Sequence, residues 1–223
     1  MSVDCIDDAW VRVSGSALRS NYAAIDNYLA SDSSDAAKPQ IIAVVKANGF
    51  GHGVIEAATT LRDAGATFFA VTTPREALEL RSAGLTERIL VFVPVLPDQL
   101  PRLLPVDLDL TVSDADGLAA IATACARDSR RARVHLNVDT GMGRLGVLPT
   151  EAVALGRDLN SAREHVEFAG IYTHFARALD QNAVPTERQF ERFVSVINTL
   201  KREGIDVGLR HCANSAAMMR FPK

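Results

Sequence analysis

The chain has 223 residues, about half of them hydrophobic, and a formal net charge of −3. That length suits one large domain or two small ones with a substantial buried core, and the slightly acidic balance gives no general attraction to nucleic acid or to an anionic membrane surface. No apolar run approaches the roughly 20 residues of a membrane-crossing helix, and the opening MSVDCIDDAW lacks the basic and apolar regions of a secretion signal. The three cysteines, Cys5, Cys125 and Cys212, have no metal-ligand spacing and read as reduced thiols of a cytoplasmic protein.

In chain order, residues 17–30 (ALRSNYAAIDNYLA) have the spacing of an amphipathic helix, and residues 32–39 (DSSDAAKP) read as a polar connection. The chain divides accordingly into an N-terminal helical lead-in, 1–40, and a main domain, 41–223. The five aliphatics at 41–45 (IIAVV) suit a strand buried on both faces. Further strands are expected at 68–71, 89–93, 108–112, 134–138, 168–173 and 207–211. Helices are expected between them at about 53–64, 74–83, 114–127, 149–160 and 185–203. The link 94–107 holds four prolines and leaves room for only a short helical turn. Pro74 and Pro185 sit where helices start, and Gly65, Gly84 and Gly204 where they stop. Strands alternating with helices imply a parallel sheet. Seven such units imply a (β/α)8 TIM-type barrel lacking its eighth strand, with a doubly wound sheet as the structural alternative.

In such a barrel, chemistry sits where strands end. Polar residues gather at four of those ends: Lys46, Asn48 and His52 after the first strand, Asn137, Asp139 and Arg144 after the fifth, His174 after the sixth, and His211, Asn214 and Ser215 after the seventh. Lys46 follows five aliphatics directly, at the lip of a core, a setting that suits attack on a carbonyl. The plainer alternative is a strand-end lysine reaching into solvent. Gly49, Gly51 and Gly53 let the backbone approach a ligand closely, or form an ordinary tight loop. Residues 141–146 (GMGRLG) match the dinucleotide pattern G-x-G-x-x-G. That reading is rejected, because the next helix starts only near Pro149 and the unit is the fifth rather than the first. Arg144 suits a carboxylate or a phenolate, or is a surface loop arginine. His174, His211 and Asn214 have an equally plain reading as structural groups. The five histidines show no metal-ligand spacing, and no metal is assigned.

The segments AVVKANGFGHG, HLNVDTGMGRLG, GIYTHFA and HCANSAAMM, in that order, with the opening AWVRVSGSALRSNYAAI, resemble the signature segments of alanine racemases, collinearly from about residue 9 to residue 220. That family binds pyridoxal 5′-phosphate (PLP) in a (β/α)8 barrel and interconverts L- and D-alanine. The resemblance implies that Lys46 carries the cofactor and is the base on one face of the substrate Cα. It implies that His174 stacks on the pyridine ring, that Arg144 reaches the phenolic oxygen and the substrate carboxylate, and that Ser215 holds the phosphate. His211 and Asn214 would support the surroundings of the ring.

Three departures from the family pattern stand out. Phe50 occupies a position where the family usually has a tyrosine whose hydroxyl touches the phosphate. Asn137 replaces a lysine that many members carry as a carbamate to position the arginine, so a bound anion such as chloride, or a direct amide contact, is expected to orient Arg144. The family's eighth strand and C-terminal β-domain are not seen. The first brings an arginine to the pyridine nitrogen, and the second a tyrosine base acting across a dimer interface. The expectation is therefore a truncated PLP-binding barrel domain of a cytoplasmic, homodimeric alanine racemase that makes D-alanine for peptidoglycan precursors. Two alternatives stay open: a broad-spectrum amino-acid racemase, which Asn137 favours, and a single-domain PLP-binding protein without catalysis.

Overall fold

A computed structural model describes residues 10–31 and 38–221. The expected connection at 32–39 falls mostly on residues 32–37, and Cys5 on the first nine; both lie outside the described residues. Seven parallel strands pair in chain order: β1 (Ala43–Val44), β2 (Phe68–Val71), β3 (Arg88–Val91), β4 (Asp109–Val112), β5 (Ala132–Asn137), β6 (Val166–Tyr172) and β7 (Leu209–His211). A doubly wound sheet reverses its strand order near the middle. Here each strand adds to the same side of its predecessor, so that alternative is excluded and the barrel expectation stands.

Helices α1 (Gly15–Ser31), α2 (Val54–Asp63), α3 (Pro74–Ser82), α4 (Ala115–Arg127), α5 (Pro149–Ser161), α6 (Val184–Arg202) and α7 (Ser215–Arg220) accompany the sheet. The proline-rich link after β3 forms one four-residue helix, Leu100–Leu103, between two 3-10 turns, Pro97–Gln99 and Leu104–Val106, much as its composition requires. Helix α7 was not expected. It is short, and Asn214 starts it by accepting the Ala217 N–H at 3.0 Å.

The sheet is buried on both faces. Outward residues such as Ile89, Leu110, Leu136 and Ile171 pack with Leu80, Ile121, Leu159 and Leu200 of the helices. Phe68, Ala70 and Leu90 turn inward and form a second, smaller core. Strands two apart in a flat sheet lie nearly 10 Å from each other. Thr111 Oγ1 on β4 nevertheless meets the Tyr172 hydroxyl on β6 at 3.1 Å, and His135 on β5 meets His211 on β7 at 3.0 Å. The sheet is therefore curled around its inner residues. Strands β1 and β7 are shorter than the expected 41–45 and 207–211, because each pairs on one side only.

Candidate active site

The first strand end is an unusual piece of backbone. The Val45 N–H still bonds Ala70 O at 2.9 Å, but Ala47, Asn48, Gly49, Phe50 and Gly51 then all adopt positive φ, between 52° and 85°. Left-handed backbone costs a non-glycine residue roughly 1–2 kcal/mol, so this turn needs outside support. Part of it is local: the Gly49 N–H bonds Val45 O at 2.9 Å, and Asn48 Oδ1 accepts the Val54 N–H at 2.9 Å. The rest comes from Glu76 in the first turn of α3. One oxygen accepts the Ala47 N–H at 2.6 Å, and the other accepts the Thr72 and Thr73 N–H groups at 3.0 and 2.9 Å. Burial alone would raise the Glu76 carboxyl, but these donors and the Thr73 hydroxyl outweigh it and hold it below the usual carboxylate range. Sequence reading did not pick out Glu76. The available signal was a capping box, Thr73 and Glu76 around Pro74, which α3 forms; the reach to Ala47 depends on the tertiary fold. Lys46, half-buried, projects from this turn with its Nζ 6.0 Å from the centre of the Phe50 ring.

The glycine-rich loop after β5 is knotted around a carboxylate. Asp139 accepts the N–H groups of Gly141, Met142 and Gly143 at 2.8–3.1 Å. Burial alone would raise its carboxyl; those bonds, with one from the Arg144 backbone, outweigh it and lower it. The amides that would cradle a pyrophosphate are thus already occupied, which gives a structural reason for rejecting the dinucleotide reading. Arg144 lies exposed on this loop, and Asn137 is buried at the end of β5. Among the described residues no hydrogen bond joins the Asn137 amide to Arg144, so the direct contact expected between them is absent.

The sixth and seventh strand ends complete the rim. His174, though exposed at the surface, is held below its ordinary pKa first by partial desolvation and then by the charges of Arg144 and Lys46, each of which lies within electrostatic reach of it. The ring of His211 stacks on that of Tyr172, with centroids 4.8 Å apart and planes at 11°. Below it runs a buried column, from His211 Nε2 to His135 Nδ1 at 3.0 Å and from His135 Nε2 to Asp109 at 3.0 Å. Burial, above all, pushes His211 down to about 3. An ionised Asp109 makes His135 Nε2 the donor in that bond, and His135 Nδ1 and His211 Nε2 share the hydrogen of the other. Gly170 makes room for the column: a Cβ there would collide with the His135 ring. Asn214 spends its side chain on the α7 cap, and Ser215, exposed, follows it.

The structure thus brings Lys46, Arg144 and His174 together, with Phe50 beside Lys46. His211 is stacked on Tyr172, Asn137 ends β5 and Asn214 caps α7. Among the described residues, neither Lys46 nor Arg144 joins an ion pair, and no helix is long and apolar enough to cross a membrane.

A curled parallel sheet wrapped by helices, with an amine, a guanidinium and an imidazole at its C-terminal rim, defines a TIM-type β/α barrel domain with a basic rim. The sequence profile described as "Alanine racemase, N-terminal domain" matches residues 13–223, and the chain belongs to that family. An alanine racemase of Desulforamulus reducens is 46% identical over 184 residues, covering 82% of this chain and 50% of that protein. The crystal structure of alanine racemase from Bacillus anthracis with bound L-Ala-P is similar at a TM-score of 0.85 and 35% identity, over 96% of this chain and 54% of that one. A histidine racemase from Leuconostoc mesenteroides is similar at a TM-score of 0.77 and 30% identity, over 92% and 52%. The chain spans about half the length of the curated relatives it matches.

Proposed function

We propose that this chain is the cofactor-binding part of a PLP-dependent alanine racemase, which interconverts L- and D-alanine in the cytoplasm for peptidoglycan precursors. The observation that carries the reading is the convergence of Lys46, Arg144 and His174 at one rim, with neither cation neutralised by a carboxylate of the described residues. That donor set fits PLP. Lys46 offers an amine for its aldehyde carbon, His174 a flat and uncharged face for its ring, Ser215 a hydroxyl for its phosphate, and Arg144 a fork for its phenolic oxygen or for a substrate carboxylate. Phe50 and Asn137 border the same place, and His211 and Asn214 brace it from below and from the side. When bound, PLP supplies an electron sink that makes the amino-acid Cα–H acidic.

In this reading Lys46 Nζ takes and returns the proton on one face of Cα. Arg144 fixes the carboxylate, so that the Cα–H points at that amine. The Asp139 knot holds the Arg144 loop in shape, and Glu76 holds the backbone beside Lys46. Helix α1 of the lead-in packs against α2 of the barrel domain, with Tyr22 on its core. The family resemblance adds a homodimer and a tyrosine on the opposite face of Cα.

The test is an absorbance spectrum of the purified chain with PLP, before and after borohydride, with Lys46→Ala as control. The expected result is a visible band that borohydride fixes on the peptide containing Lys46 and that the variant lacks. No band, or one unchanged in the variant, overturns the reading. A second reading, a racemase of wider or different amino-acid range, is favoured by the likeness to the histidine racemase and by Asn137. Racemisation of alanine against histidine, assayed by chiral chromatography, separates the two. A cofactor carrier without catalysis would form the band and racemise neither.

A further inference from the structure

Helix α6 follows the loop after β6, and in its second turn Gln189 points inward, only 4% exposed. A buried primary amide has two N–H donors and a carbonyl acceptor, and leaving any of them unpaired is costly. Here all are engaged. Its Oε1 accepts the Ala176 N–H at 2.9 Å, and its Nε2 donates to His174 O and to Thr140 Oγ1, each at 3.2 Å. Thr140 Oγ1 in turn shares a hydrogen with Thr173 Oγ1 at 2.8 Å, and Arg192, further along the same helix, donates to Thr140 O at 2.7 Å.

These partners belong to two different strand ends. Thr140 lies between Asp139, which knots the β5 loop, and Arg144, which that loop carries. His174 and Ala176 belong to the segment leaving β6. One amide therefore ties the Arg144 loop to the backbone of His174 itself. We propose that Gln189 is a positioning residue, which sets the spacing between the Arg144 loop and His174 so that both face one ligand. The proposal rests on the reading of those two residues as cofactor-site groups. Leucine at this position would fill the volume but leave His174 O and the Ala176 N–H unpaired. Glutamate would keep the acceptor for Ala176 and set a negative oxygen against His174 O.

The test compares the wild-type chain with Gln189→Leu and Gln189→Glu. NMR of the His174 imidazole follows its titration without any ligand. In the wild type the midpoint lies below the ordinary histidine value, through partial desolvation of the ring and the charges of Arg144 and Lys46. If Gln189 sets the spacing, both variants shift that midpoint upward, and PLP affinity measured by absorbance falls about tenfold, the expected effect of one lost polar contact. Folded variants, verified by circular dichroism, with an unmoved His174 midpoint would overturn the proposal. Should Gln189→Leu fail to fold, Gln189→Glu and Thr140→Val, which removes one end of the tie, decide by the same midpoint. Should the wild type take up no PLP, the cofactor reading falls, while the His174 midpoint still decides the role of Gln189.

Discussion

The two ends of this barrel handle charge in opposite ways. At the N-terminal end of the strands, Asp109 is fully buried yet bonded to Arg88, to Arg133 Nε at 2.6 Å and to His135 at 3.0 Å. Burial alone would raise its carboxyl; the three basic partners outweigh that and hold it far below the usual range. At the C-terminal rim, Lys46 and Arg144 form no ion pair with a carboxylate of the described residues, and Glu76 and Asp139 spend their oxygens on backbone N–H groups. The lower end is closed upon itself, while the cations of the upper end form no ion pair with a carboxylate of the described residues. Polar content alone does not distinguish scaffold from site; the balance of donors and acceptors does.

The largest way to break this contrast is at the lower end. Asp109→Asn leaves Arg88, Arg133 and His135 without their common anion, and removing one partner of a buried pair typically costs about 3–5 kcal/mol. The partial exposure of the two arginines argues for about 3 kcal/mol, read as a lower denaturant midpoint. The folded-state pKa of Asp109 is depressed, so its contribution is full above the ordinary carboxyl pKa near 4 and is lost as the pH falls below that. The gap between wild type and variant should therefore be constant above about pH 5 and shrink in acid. A gap that stays constant down to strong acid would mean that the Asp109 charge is not its source.

Next in size is Gly170→Ala, which drives a methyl group into the His135 ring. Overpacking of a filled interior costs about 1–3 kcal/mol. The same change in a His135→Ala background should cost much less, and equal costs in the two backgrounds would show that the column is not what Gly170 accommodates. Asp139→Asn acts at the upper end. Its loop loses a charged acceptor for several N–H groups, and exchange of the Gly141, Met142 and Gly143 amides should quicken about tenfold, since bonds to a charged group are worth roughly 1.5–3 kcal/mol. Global stability should barely change, because the loop lies outside the core. Unaltered exchange would show that the knot holds without the charge.

Much of this contrast was legible in the sequence at its upper end and almost none at its lower end. The seven strands, the helices between them and the four polar strand ends follow from periodicity and from Gly and Pro positions. Lys46 could be marked because it follows an aliphatic run directly, and Arg144 and His174 because they lie in the segments leaving the fifth and sixth strands. The left-handed turn at residues 47–51 was not legible, because its support comes from Glu76, almost thirty residues away. Asp109, His135 and Gln189 were missed for the same reason. Each reads locally as an ordinary polar residue of a strand or helix, and only strand pairing and helix packing bring its partners within hydrogen-bond range.

The smallest expected effect sharpens the contrast from the ligand side. Phe50 is 59% exposed beside Lys46, at a position where the family usually carries a tyrosine whose hydroxyl touches the cofactor phosphate. Phe50→Tyr adds one hydroxyl to an exposed ring, with no buried polar cost, and leaves the backbone at φ 55° in the same left-handed conformation. Thermal stability should therefore be unchanged, while PLP affinity, titrated by absorbance, should rise about fivefold, the equivalent of one hydrogen bond of about 1 kcal/mol. An unchanged affinity would place the ring away from the phosphate. Phe50 would then matter only as the aromatic face near the Lys46 ammonium, at the outer edge of cation–π range. A gain would show that the upper end binds its anion with one donor fewer than its fold can accommodate, and that the loss is borne by the remaining basic groups at this rim.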